Sequence, residues 1–105
     1  MPSFETRREG ERATLTPAGD VVASSVGELR PVMRDLVREG VREIVLDLGN
    51  TQMLDSTGIG LLLSGHNSLA QAGGKLSVIE ASKDVLELLR TMRVHQHFDV
   101  SGRRA

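Results

Sequence analysis

Residues 44–63 read IVLDLGNTQMLDSTGIGLLL. Ile44-Val45-Leu46 is an unbroken apolar run of the kind found in strands buried on both faces. Gly49-Asn50 supplies a turn, Met53-Leu54 a short apolar piece, and Asp55-Ser56-Thr57-Gly58 a cluster of acid, hydroxyls and glycine. Ile59, Leu62, Leu63 and Leu69 then recur at three- and four-residue spacings, as on one face of a helix. The polar cluster thus falls between the end of a buried strand and the start of a packed helix. In open α/β sheets ligands and chemistry gather at that junction. Ser56 or Thr57 is expected to be the N-cap, its hydroxyl accepting from an amide of the first turn. Capping does not explain why Asp, Ser, Thr and Gly come together. A phosphate on Ser56 would meet free N–H groups and the positive end of the helix dipole. Asp55 beside it would oppose an added charge of roughly −1.5 to −2. Two roles stay open for Ser56, a cap and a covalent switch.

Upstream, Phe4 to Glu9 and Arg12 to Thr16 read as an antiparallel pair turning at Gly10, with the polar first strand at a sheet edge. Pro17 marks a strand end, and Gly19-Asp20 begins a loop. Ser25-Val26-Gly27-Glu28 has the form of a capping box, and Leu29, Val32, Met33, Leu36 and Val37 keep helical spacing up to Gly40. Pro31 conflicts with an early start, so the helix is expected to begin nearer Glu28. Downstream, Gly73-Gly74 stops the second helix and Leu76 to Ile79 forms another strand. Ser82 caps a third helix with an inward stripe of Val85, Leu88, Leu89 and Met92. The tail from Val94 to Val100 adds a short segment, with Phe98 over the sheet and Arg103 and Arg104 frayed. The expectation is an α/β fold: one domain over 1–105 with its core at about 4–100. It has a mixed four- to five-stranded sheet and helices mainly on one face.

Composition narrows the function. The chain has 105 residues, 39% of them hydrophobic, enough for one modest core. Only 2% are aromatic, so Leu, Val, Ile and Ala must fill that core around Phe4 and Phe98. Thirteen basic against fourteen acidic residues give a net charge of −1, which offers no field for nucleic acid. Without Tyr or Trp there are few stacking platforms for single strands. Zero cysteines exclude disulfides and thiolate metal sites and suit a cytoplasmic location. The opening MPSFETRREG has no signal-like apolar run, and no stretch approaches the roughly 18 apolar residues of a membrane span. Direct membrane insertion is not expected.

Other clusters carry less. Asp20, Asp47 and Asp55 suggest an acid group for magnesium, but the paired acids of a phosphoaspartate site are missing and Lys75 precedes its strand. Asp47 is better read as supporting a turn. Asp55-Ser56-Thr57-Gly58 has one residue too many for an aspartic-protease loop. Ser56 also lacks the glycine two positions earlier that a nucleophile elbow needs. Gly58 and Gly60 match no nucleotide fingerprint. His95 and His97 share a face if the segment is extended, but two ligands make no metal site. His66 reads as a packed or hydrogen-bonded histidine. No catalytic residue, metal or cofactor is expected.

IVLDL at 44–48, MLDSTGIGLLL at 53–63 and AGGKLSVIEAS at 72–82 together resemble the STAS domain of bacterial anti-sigma-factor antagonists, a likeness that runs from about Leu15 to Phe98. The resemblance implies a STAS fold and a regulatory binding protein rather than an enzyme. It implies that Ser56 is the phosphoacceptor, and a partner surface of Asp20, Asp55, Ser56, Thr57, Gly58 and Ile59. It also implies that the partner is an anti-sigma factor acting as serine/threonine kinase, with a phosphatase to reset the switch. Where the family often reads G-E-L-D, this chain has Gly19-Asp20-Val21-Val22, keeping the first acid and replacing the second. Two other roles fit a STAS domain: a scaffold in a sensory-kinase or chemotaxis-like pathway, and a subunit of a lipid or anion transporter.

Overall fold

The computed structural model describes residues 4–103. Five strands form one sheet in the order β1-β2-β3-β4-β5: Phe4–Glu9, Arg12–Pro17, Glu43–Asp47, Lys75–Ala81 and Asp99–Gly102. β1 and β2 are antiparallel, and each later pair is parallel. Three helices alternate with the strands: α1 over Ala23–Arg38, α2 over Ser56–Gln71 and α3 over Lys83–Thr91. A 3-10 turn at Val94–Gln96 leads into β5.

The topology explains why the helices share a face. From β2 to β5 every crossover moves one strand in the same direction, and crossovers of one hand stack their helices on one side. Val26 and Leu29 of α1, Leu61 and Leu62 of α2, and Val85 and Leu89 of α3 accordingly join one core with Leu15, Ile44, Leu46 and Val78 of the sheet. Val45 points the other way and is buried outside that cluster. The β2, β3 and β4 carboxyl ends feed α1, α2 and α3, so the three helix N-termini lie along one edge. Strand order never reverses, so the fold lacks the crevice such a reversal opens for ligands.

Several local expectations are corrected. α1 begins at Ala23, not near Glu28. Ser25 is its third residue, and its hydroxyl accepts from the Val22 amide at 3.0 Å and donates to the Asp20 carbonyl at 2.8 Å. Pro31 is tolerated inside the helix because it lies on the exposed side, where water can reach the Gly27 carbonyl it leaves unpaired. Gly40, at φ +102°, ends α1: its amide donates to Val37 and that of Val41 to Leu36. Met92 is 53% exposed rather than part of the inward stripe, which is Val85 and Leu89 with Leu88 half-buried. The buried face of α2 is wider than its spacing implied, since Leu61 is also buried while Leu63 is half-buried. Arg103 is tied down, its amide to the Ala81 carbonyl at 3.0 Å and its guanidinium to the Gly49 carbonyl at 2.7 Å. Arg104 lies outside the described residues.

Candidate functional site

The N-cap of α2 is Asp55, not Ser56 or Thr57. One carboxylate oxygen of Asp55 accepts the Gly58 amide at 2.8 Å, satisfying an N–H of the first turn. The other accepts the Ala23 amide, the first of α1, at 3.0 Å. A single side chain therefore serves two helix N-termini. Its carboxyl is held below the ordinary 3.8, first by the Gly58 amide and, against partial desolvation, by that of Ala23. Val22, where the resemblance led one to expect an acid, is the N-cap of α1 and offers no side-chain acceptor. Ser25 and Asp55 supply the polar contacts instead.

Asp20 also works inward. Its Oδ1 accepts the amides of Gln52 at 3.0 Å and Met53 at 3.1 Å. Thr51, fully buried, donates its hydroxyl to the Gly19 carbonyl at 2.8 Å. The Val21 amide donates to the Met53 carbonyl at 3.1 Å, and Val21 and Leu54 form an isolated parallel bridge. The loops after β2 and β3 are thereby fastened together beneath the start of α2. Gly58 is required by this approach, because a Cβ there would overlap the Val21 carbonyl oxygen.

Ser56 is left as the first residue of α2, exposed, with no hydrogen bond to its hydroxyl among the described residues. Thr57 beside it is exposed too. Of the six residues expected to meet a partner, Ser56 and Thr57 face solvent, Asp20 and Asp55 are half-buried, and Gly58 and Ile59 are buried. The last four thus hold the surface in place. Met53, 55% exposed, joins the exposed pair; of the short apolar piece Met53-Leu54 only Leu54 turns in.

The remaining candidates stay apart from this site. Asp47 supports its turn by accepting the Gly49 amide at 2.9 Å. His95 and His97 lie on and just after a 3-10 turn, not on an extended segment, and the described residues contain no group of three or more metal-capable side chains. His66 is packed, its ring centroid 5.7 Å from that of Phe98 and 6.1 Å from that of His97. No helix among the described residues is long and apolar enough to cross a membrane.

A sequence model of the family described as "Mlab, STAS domain" matches residues 4–100. The chain belongs to the STAS family. It is similar to the anti-sigma-B factor antagonist of Staphylococcus aureus, 25% identical over 100 residues covering 95% of this chain and 84% of that protein. The protein of the same name from Staphylococcus epidermidis is 27% identical over the same shares. Among solved structures, an anti-sigma factor antagonist from Mycobacterium paratuberculosis superposes with a TM-score of 0.82 at 14% identity, covering 93% of this chain and 83% of that one. SpoIIAA in its unphosphorylated form gives 0.74 at 17% identity, covering 97% and 89%. In its phosphorylated form it gives 0.75 at 16%, covering 92% and 89%. At those identities the superpositions speak for the STAS fold alone.

Proposed function

We propose that this STAS domain is an anti-sigma-factor antagonist that binds an anti-sigma serine/threonine kinase and is switched off by phosphorylation of Ser56. The observation that carries the reading is the state of Ser56: an exposed hydroxyl, engaged in no hydrogen bond among the described residues, on the first turn of α2. Asp55 performs the cap, so Ser56 is free for chemistry. The names of the Staphylococcus relatives support an anti-sigma factor as the partner, and the kinase activity is part of the proposal.

In the step, the kinase contributes ATP and the base. The Ser56 hydroxyl loses its proton, its oxygen bonds to the γ-phosphorus, and ADP leaves with the electrons of the broken P–O bond. The product adds roughly −1.5 to −2 of charge where Ser56 and Thr57 meet the partner. The α2 dipole and its first-turn amides offset part of the repulsion from Asp55, so the domain stays folded while the complex weakens. The chain acts as a binding protein in the cytoplasm, and a phosphatase restores it.

The test is phosphopeptide mapping after incubation with the anti-sigma kinase and ATP, with affinity measured before and after. Label on Ser56 and an affinity loss of at least about tenfold, or 1.4 kcal/mol, are expected. Label confined to Thr57, or undiminished binding by the phosphorylated protein, overturns the switch.

A further inference from the structure

Between α1 and α2, on the helix-covered side of the sheet, a cleft of about 180 Å³ reaches down to Ile44 and Leu61. These two side chains lie beneath it with almost no accessible surface, and half-buried Val37 beside Met33 gives the cleft an apolar wall. The cleft exists because α2 carries Ser64, Gly65 and Ser68 where it faces α1. Even a methyl at Gly65 would press on the Met33 Cε, 2.5 Å away.

The rim has one sign of charge. Arg30 and Arg34, one turn apart on α1, both line the cleft, and among the described residues no carboxylate does. Arg30 is half-buried, and its Nη1 donates to the Ser64 hydroxyl at 3.1 Å, which in turn donates to the Leu61 carbonyl at 3.2 Å. That neutral partner takes one of five guanidinium donors and balances no charge. Arg34 has no hydrogen bond or ion pair to another described residue, and the ion pairs made by Arg8, Arg12, Arg38 and Lys75 lie elsewhere. A fixed, half-buried cation beside an apolar wall is a costly arrangement that an anion would relieve.

We infer that the cleft between α1 and α2 binds a small organic anion: a compact apolar body of about one ring, carrying a carboxylate or phosphate. The volume sets the body, since a cavity of about 150 Å³ accommodates benzene. The two guanidinium groups set the head, which they receive in the bidentate geometry suited to carboxylates and phosphates. Ser68 adds a hydroxyl on the opposite wall, while the Ser64 proton is already given to the Leu61 carbonyl. This is a different place from the phosphorylation site: Ser64 lies eight residues along α2 from Ser56, about 12 Å. The inference does not depend on Ser56 being modified.

The experiment is a titration of the purified, unphosphorylated protein, followed by amide NMR and calorimetry. The probes are phenyl phosphate and benzoate, with inorganic phosphate and benzyl alcohol as comparators that each lack one half of the ligand. Saturable shifts at Arg30, Met33, Ser64 and Gly65 are expected with both ring-bearing anions. Binding should be at least about tenfold weaker for each comparator. Arg30→Gln and Arg34→Gln should each weaken phenyl phosphate by at least about fivefold, and Gly65→Ala should narrow the cleft and do the same. The thermal transition of each variant confirms that it is folded. Because Arg34 is exposed and forms no hydrogen bond or ion pair to another described residue, its substitution keeps the test informative if Arg30→Gln is unstable. Absence of saturable cleft shifts up to about 10 mM probe overturns the inference. So does equal response to inorganic phosphate, which marks nonspecific anion binding, or a response centred on Ser56, which marks the α2 N-terminus instead.

Discussion

Replacing Gly58 by Ala isolates the contact on which the Ser56 surface rests. In an ordinary helix position Ala is favoured over Gly by about 1 kcal/mol. At Gly58 the new Cβ would overlap the Val21 carbonyl oxygen, with the Val21 carbon 3.2 Å away and its Cγ1 3.3 Å away. The obstacle is backbone, and it cannot rotate aside as a side chain end could. Relief requires α2 to lift or the loop at Val21 to move, at about 1–3 kcal/mol for overpacking. The movement strains the Val21 amide bond to Met53 and the Asp55 amide bond to Val21, each worth about 0.5–1.5 kcal/mol. With the gain in propensity subtracted, Gly58→Ala should destabilise by about 1–5 kcal/mol. Gly60, two residues on in α2, is the internal comparison: nothing lies within 4 Å of a Cβ there. Gly60→Ala should therefore be neutral or stabilise by up to about 1 kcal/mol. Urea denaturation of the two variants and the parent, with m-values compared, gives the difference directly. If Gly58→Ala is as stable as Gly60→Ala, the close approach to Val21 is not what the glycine serves.

Ser56→Ala should change stability by less than about 0.5 kcal/mol, because the hydroxyl caps nothing, while abolishing kinase labelling; a loss above 1 kcal/mol in denaturation would return the capping role to Ser56. Leu62→Ala, at a fully buried position, should cost about 2–5 kcal/mol, and an unchanged urea midpoint would mean that α2 presents a different face to the core. The Asp55 carboxyl is depressed in the folded state, so its contribution is complete above its unfolded value of 3.8 and fades as pH falls through the lower folded value. The melting temperatures of the parent and Asp55→Asn should therefore differ most near neutral pH and converge as pH falls through the lower folded value; a gap independent of pH would remove the charge from the account. Met92→Lys, at an exposed position that sequence spacing assigns to the core, should shift stability by no more than about 0.5 kcal/mol in the same denaturation assay.

Hydrophobic spacing and turn residues alone determined the order of strands and helices as far as α3, while β5 was legible only as a short segment. Ile44-Val45-Leu46, the three-and-four repeats of each helix and the glycines that end α1 and α2 are local signals, and local geometry obeys them. The sequence also located the Asp55-Ser56-Thr57-Gly58 junction, because a polar cluster between a buried strand and an amphipathic helix has few other places to be. Only the tertiary structure decided what each of those residues does. Asp55, three residues before Gly58, had the spacing of an N-cap in the sequence itself. Its second bond, to Ala23 at 3.0 Å, joins segments 32 residues apart and leaves no local trace. That assignment is what frees the Ser56 hydroxyl. The start of α1 moved for the same reason, since Ser25, Asp20 and Asp55 hold its first turn from three different places. Exposure was least legible. Met53 and Met92 are apolar residues, and Met92 keeps the spacing of an inward stripe, yet both face solvent. The cleft beside Arg30 belongs with them: Gly65 and Ser64 are unremarkable in the sequence and become a wall only when α1 is laid across α2.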